Sequence, residues 1–429
     1  MARQQGQWRQ QSATDWQQSE PEYSSAQYDE PLYYDDGAQD PLPSGMTGRI
    51  QLVDNEFYED DRPSRRKPKS RVQRRTWLII GCSVLAMALV VGIGVIWGQR
   101  SGLFSSSETR VIDGLDPGTP TMPPLPDPAP SWPLTGLPIA ANTTSGPALC
   151  IKIENAEQAR PQLGLDSADI VFEEVVEGGI TRFMAVFQST FPTQVEPVRS
   201  IRPMDPPIAT PFGCALIFYG GQGQFVNAAK QTGLKLIYVD RGNNGFSRDP
   251  KRGAPHNVLG DMKNFLNQAN SAKLKAPPAM FNYPDLGQAA SVVNGGKWTK
   301  KLDLKMSYVS NPHWTWNSSN GLWYRYEFDK PAMLQDGKQI TATNVVALSV
   351  SIYNTVYKDP AGNPVPETKI VGSGTGTLAS AGRTLPIRWY KTSDTEQIVL
   401  ADASGNPITL VPGNTWVELV PTTGTIKAS

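Results

Sequence analysis

From Trp77 to Gly98 the chain runs for 22 residues without a charge. A helix of that length covers ~30 Å, the hydrocarbon thickness of a bilayer. Trp77 and Trp97 stand near its two ends, where amphipathic rings favour the membrane interface. The pattern predicts one transmembrane helix over residues 76–98. The run Ile79-Ile80-Gly81-Cys82 looks like the end of a lipidation signal, but the apolar stretch follows Cys82 instead of preceding it. Cys82 therefore reads as a small residue inside the span.

The flanks differ sharply from that segment. Residues 1–75 are rich in Gln, Asp, Glu, Ser and Tyr and poor in aliphatics. Such a stretch cannot bury enough apolar area to offset its ordering entropy and is expected to be disordered. Residues 99–131 hold seven prolines between Pro117 and Pro130, which favours extended polyproline II and a spacer reaching up to roughly 100 Å.

A folded region is expected from Trp132 onward. Its first part, 132–299, mixes strand and helix signals. Apolar strands are predicted at Leu149–Ile153, Asp169–Glu177, Ile180–Ser189, Cys214–Tyr219 and Leu234–Val239, with a hairpin through Gly178-Gly179. Apolar positions at Val258, Leu259, Met262, Phe265, Leu266 and Ala269 predict a helix over 258–272. The second part, 300–429, reads as mainly β. Its strands are expected at 304–309, 321–328, 344–352, 385–390, 396–400 and 415–420, separated by Gly, Asn and Pro turns. Trp314, Trp316, Trp323, Tyr324, Tyr326, Trp389, Tyr390 and Trp416 are its expected core aromatics. The class is α+β: a mixed α/β N-terminal subdomain and a mainly β C-terminal one, preceded by the tail and the transmembrane helix.

Charge fixes the orientation. The chain balances 40 Lys and Arg against 40 Asp and Glu, yet residues 62–75 hold eight cations and no acid. A basic block just before a span stays cytoplasmic. The expected protein is therefore a single-pass cell-membrane protein, with its N-terminus inside and 132–429 outside. The block itself is expected to touch anionic lipid headgroups. Since topology accounts for these cations, nucleic acid is not an expected partner.

Candidate chemistry lies between residues 154 and 257. Two histidines, His256 and His313, are too few for a His-rich metal site, and no Asp-x-Asp-x-Asp-Gly calcium loop occurs. No metal or cofactor is expected. Gly220-Gly-Gln-Gly223 lacks the Lys-Ser/Thr of a phosphate loop and reads as a tight turn. Alternation places Glu173 and Glu177 on one strand face and Glu174 on the other. These acids need partners, and Arg182, Arg199 and Arg202 are the expected ones. With Arg252, His256 and Asn257 they form the candidate ligand-binding set. No Gly-x-Ser-x-Gly or Ser-x-x-Lys nucleophile motif stands beside them. Cys150 and Cys214 read either as a disulfide or as two buried thiols.

Several motifs occur together in a specific order. They are Pro133-Leu-Thr-Gly-Leu-Pro138, Ala159-Arg-Pro-Gln-Leu-Gly-Leu165, Val176-Glu-Gly-Gly-Ile-Thr-Arg-Phe183, Pro197-Val-Arg-Ser-Ile-Arg202, Pro255-His-Asn257 and Pro407–Trp416. Over residues 132–425 the chain resembles the YerB-like family of lipoproteins, a domain of unknown function with N- and C-terminal subdomains. The resemblance implies export in a Gram-positive-type bacterium and carries no catalytic residues. A transmembrane anchor in place of a lipid departs from it. The expected role is an extracellular cell-envelope module that binds or scaffolds a cell-wall polymer or envelope protein. The alternative is a wall-modifying hydrolase or transferase that uses the Glu/Arg/His cluster.

Overall fold

A computed structural model describes residues 130–239, 244–285 and 287–429. The expected tail, basic block and transmembrane segment, and the linker up to residue 129, lie outside the described residues. Among the described residues no helix is long and apolar enough to cross a membrane.

The first strands follow the apolar runs. β1 (Leu149–Glu154), β2 (Ile170–Val175) and β3 (Thr181–Phe187) are buried along their whole length. β2 and β3 form the expected hairpin, with Ile170 opposite Val186 and Val175 opposite Thr181. Its turn takes two left-handed residues, supplied by Gly178 and Gly179 at φ +66° and +72°. α1 (Asp205–Ala209), β4 (Ala215–Phe218), α2 (Gly223–Gln231) and β5 (Lys235–Tyr238) come next. β1, β4 and β5 run parallel, and α2 is the crossover between β4 and β5. β6 (Val258–Asp261) leads into α3 (Met262–Ser271), and the short α4 spans Ser291–Gly295. The helix expected from Val258 thus starts four residues later. Asp261 sets the start, because its carboxylate accepts the Asn264 N–H at 3.0 Å as an N-cap. Val258 instead pairs with Arg248 in a three-stranded sheet.

Beyond Gly295 every described element is a strand. The longer ones are β7 (Lys301–Lys305), β8 (Pro312–Asn317), β9 (Leu322–Glu327), β10 (Asn344–Lys358) and β11 (Pro364–Lys369). β12 (Gly372–Ser380), β13 (Arg383–Lys391), β14 (Val399–Ala401), β15 (Thr415–Pro421) and β16 (Thr425–Ala428) complete them. Four were not expected: β8, β11, β12 and β16. Two begin at proline, and β12 reads Gly-Ser-Gly-Thr-Gly, a loop composition. Tertiary packing overrides it: a Cβ on Gly374 would lie 2.6 Å from the Trp389 indole nitrogen, so glycine lets that ring cross the strand. Trp314, Trp323, Trp389 and Trp416 are core residues as expected, whereas Tyr390 stands at the surface.

Twelve strands form one sheet, whose main path runs β14-β13-β12-β10-β15-β2-β3-β1-β4-β5. β15 lies parallel between β10 and β2. Strands from both sides of residue 300 therefore share one hydrogen-bonded sheet. A six-stranded sheet built on β9-β8-β7-β16 covers one face, with Leu302, Trp314, Trp323 and Ala342 packed on Ala347, Trp416 and Val420. α3 packs in the same layer through Met262, Phe265 and Ala269. α1 and α2 pack on the opposite face through Ile208, Ala209, Phe225 and Ala229. The class is α+β.

Cys150 of β1 and Cys214, just before β4, form a disulfide across a separation of 64 residues. Loop closure of that length contributes about 4 kcal/mol in the chain-entropy model. Replacing both cysteines with alanine is expected to lower unfolding stability by up to about 4 kcal/mol, read from urea denaturation beside the oxidised native chain.

Candidate functional site

The register of β1, β2 and β3 builds a polar edge on an otherwise apolar face. Arg182 lies opposite Glu154 on one side and Glu174 on the other. Paired residues project to the same face, as does Lys152, two positions before Glu154. Further along the strands this face carries Cys150, Phe172 and Met184 of the core. Lys152 has no exposed surface and pairs with Glu174 and, at 2.7 Å, with Asp205. Burial pushes its pKa down to about 8, against the pull of Asp205. The other Asp205 oxygen accepts the Arg202 N–H at 2.6 Å.

Residues 197–201 fill the space where β1 and β4 part. Glu154 N–H donates to Pro197 O at 3.0 Å, and Arg199 N–H to Lys152 O at 2.9 Å. On the other side Tyr219 N–H donates to Arg199 O at 2.9 Å, and Ile201 N–H to Gly220 O at 3.1 Å. The Gly220–Gly223 turn thus holds this segment from behind. The segment and the residue after it deliver three side chains, those of Arg199, Ser200 and Arg202. Arg199 Nε meets Glu154 at 3.1 Å, and Arg202 Nε meets Glu177 at 2.7 Å. Ser200 Oγ accepts from Arg182 Nη1 at 3.1 Å and from Arg202 Nη1 at 2.9 Å. Arg182 is 4% exposed. Burial, and then the charges of Arg202 and Arg199, push its pKa down to about 9.

The remaining candidates flank this edge. His256 Nδ1 lies 3.0 Å from the second Glu154 oxygen. Arg252 Nε meets Glu196 at 3.2 Å, and its Nη1 donates to Ala159 O at 2.9 Å. Burial raises the Glu196 carboxyl. Asn257 accepts from Arg248 at 2.7 Å and donates to the carbonyls of Asp249 and Arg252. Arg252 and Asn257 therefore hold a turn together.

Glu173 faces the other way. On that side Arg325 of β9 is fully buried and meets Glu173 at 2.7 Å, Glu327 at 2.6 Å and Glu418 of β15 at 2.9 Å. Its guanidinium stacks within 5.0 Å of the Trp416 ring and 5.5 Å of Phe183 and Trp314. Trp314 Nε1 also donates to Glu418 at 2.8 Å. Arg160 reaches Glu327 at 3.6 Å. Burial pushes the Glu173 carboxyl up, but the charge of Arg325 overrides it and holds the pKa low. Burial and the neighbouring Glu173 charge push the Glu418 carboxyl well above its usual range, opposite in direction to Glu173.

The expected opposition of Glu173 and Glu174 is found. The expected shared face of Glu173 and Glu177 is not, because the strand ends at Val175 and Glu177 sits in the turn beside Arg202. Of the three expected arginine partners, Arg202 takes Glu177 and Arg199 takes Glu154, while Arg182 takes no carboxylate among the described residues. The partners that sequence reasoning missed are Lys152, Arg325, Glu327 and Glu418. For Lys152 and Glu418 the signal is a single charge inside an apolar strand, Leu-Cys-Ile-Lys-Ile and Thr-Trp-Val-Glu-Leu; Arg325 and Glu327 stand at alternate positions of the aromatic strand Leu-Trp-Tyr-Arg-Tyr-Glu. Such a charge is buried only with a partner. Two cavities of about 370 and 400 Å³ lie elsewhere, one along α3 at Asn264 and Gln268, the other beside Ser349, Gly374 and Trp389. Among the described residues no group of three or more His, Cys, Asp or Glu is placed to hold a metal ion.

Comparison with known proteins gives a consistent result. The model for the N-terminal domain of a protein of unknown function (DUF3048) matches residues 134–275, and its C-terminal counterpart matches 302–417. The Bacillus subtilis (strain 168) protein named "Putative lipoprotein YerB" is 26% identical over 317 residues, 67% of this chain and 86% of that one. The crystal structure of the YerB protein from Bacillus subtilis matches with a TM-score of 0.59 at 22% identity, over 70% of this chain and 99% of that one. That structural likeness is one of fold.

The Arg325 cluster predicts an asymmetry. Arg325→Met leaves Glu173 buried without its cation and is expected to cost about 3–5 kcal/mol. Glu418→Gln mimics the protonated acid and is expected to cost less than about 1 kcal/mol. A carboxyl raised by folding stabilises the fold at low pH and loses that contribution as pH rises toward its folded value. The stability gap between native chain and Glu418→Gln should therefore move in favour of the variant as pH climbs above the carboxylate range. Urea denaturation between pH 4 and about 9 checks both.

Proposed function

Because the chain belongs to the YerB-like family, DUF3048, we propose that it works in the cell envelope, on the outer side of the membrane, as a binding or scaffold module. Three features support the placement. The named relative carries a lipoprotein's name. Residues 62–98 read as a basic block followed by a membrane span. The Cys150–Cys214 disulfide suits an oxidising compartment. The seven prolines between Pro117 and Pro130 suit a spacer between that span and the folded region.

The observation that carries the binding role is the pairing of the acids. Glu173 and Glu174 are fully buried and Glu177 nearly so, each against its own cation. Cleavage of a glycosidic bond needs two carboxyls that reach substrate from either side of it, and these three do not present such a pair. One feature favours the enzymatic reading: Glu154 orients His256, as an acid orients the base of a hydrolase. Yet the other ring nitrogen, Nε2, meets no hydroxyl or thiol among the described residues.

Incubating the full chain, in detergent, with isolated cell wall separates the two. The expected result is chain in the wall pellet and no new soluble fragments by mass spectrometry. New fragments would replace the binding role with the enzymatic one. Chain that stays in the supernatant would refute wall binding.

A further inference from the structure

The charges of the polar edge do not pair evenly. Four cations, Lys152, Arg182, Arg199 and Arg202, face four carboxylates, Glu154, Glu174, Glu177 and Asp205. Lys152 alone takes two of these, Glu174 and Asp205. Arg199 and Arg202 take Glu154 and Glu177. Among the described residues Arg182 meets no carboxylate at ion-pair distance, although the charges of Glu177 and Glu154 act on it, and Nη1 is its one engaged nitrogen, bonded to the carbonyl and hydroxyl of Ser200. Its Nε is buried with no hydrogen-bond partner. A buried guanidinium short of acceptors is costly, and an anion at the nitrogen that neither Ser200 nor burial takes up, Nη2, offsets part of that cost.

Two neighbours of Arg182 also keep donors in reserve. Ser200 Oγ accepts from two arginines, which leaves its own hydrogen available to donate. Arg199 uses only Nε on Glu154, which leaves its two Nη groups without a described partner, and its side chain is 24% exposed. Arg199 and Ser200 sit at the carboxyl ends of the parallel strands β1 and β4, where the strands part, and Arg182 of β3 lies opposite Glu154 at the end of β1. Open sheets with parallel strands bind their ligands at that edge.

We propose that Arg182, Ser200 and Arg199 form a binding site for a phosphate group carried by an envelope molecule. The assignment rests on the binding role above and names its ligand class. A carboxylate offers two oxygens, whereas a phosphate offers more acceptors and a second charge for this set of donors. The phosphate could belong to a wall polymer or to a lipid headgroup.

Calorimetric titration of the full chain in detergent with inorganic phosphate tests it. Saturable binding is expected, at least tenfold weaker in Arg182→Gln and several-fold weaker in Ser200→Ala. Arg383→Gln, which removes a distant arginine stacked on Trp298, should leave it unchanged. If circular dichroism shows Arg182→Gln unfolded, Ser200→Ala decides, since it deletes one hydroxyl. No binding by the native chain, or equal binding by Ser200→Ala, overturns the site. Phosphate that releases the chain from pelleted wall assigns the wall polymer as the source. Phosphate that binds without releasing it assigns the lipid headgroup. Wall retention without phosphate binding would sink the phosphate site and leave the binding role standing. Phosphate binding without wall retention would refute wall binding and leave the phosphate site standing.

Discussion

A single buried arginine ties the two sheets together. Arg325 enters from the six-stranded sheet and meets Glu173 of β2 and Glu418 of β15 in the twelve-stranded one. Apolar contact between Trp314, Trp416 and Phe183 would permit many small slips of one sheet over the other. A buried cation does not, because moving it leaves charges uncompensated at a cost of several kcal/mol. The constraint then passes through β2 itself. Glu173 and Glu174 are neighbours on opposite faces, so fixing the first toward Arg325 fixes the second toward Lys152. Lys152 in turn holds Asp205, which accepts the Arg202 N–H and so places Arg202 beside Glu177. The polar edge on one face is thus set by the clamp on the other.

Local features of this arrangement were legible in the chain. The apolar runs gave β1, β4 and β5, and Gly178-Gly179 gave the β2–β3 hairpin. Alternation alone separated Glu173 from Glu174. It failed at Glu177 because a period of two holds only while the strand lasts, and this one stops two residues earlier. The acids are visible in the chain, as is Arg202, the partner of Glu177, but Arg325 and Lys152, the partners of Glu173 and Glu174, are not. Glu173 and Arg325 are 152 positions apart, and no local pattern reports which distant charge closes a pair. The same limit hid β12, where glycines that look like a loop leave room for Trp389, and the start of α3, which hangs on the Asp261 cap.

The sheet also explains why the two halves depend on each other. β15 pairs with β2 through Ile170 to Glu173 and with β10 through Asn344 to Val350. Neither half can complete its backbone hydrogen bonds until this late strand arrives between them. Pairings of such separation form slowly, since loop closure must precede the contacts that reward it. The disulfide works on a shorter scale. It joins the start of β1 to the segment before β4, neighbours in the sheet.

Paired carboxylates are usually a statement about stability, and here most of them are. What separates this edge from an ordinary ion network is the unequal division of partners. Lys152 is short, buried and single-headed, yet it lies between two acids. Arg182 has five N–H donors and directs only one nitrogen to a neighbour. A network built for stability alone would pair Arg182, the better fork, with an acid. That mismatch leaves Arg182 donor capacity unspent beside the parted strands, which is the feature the proposed anion site uses.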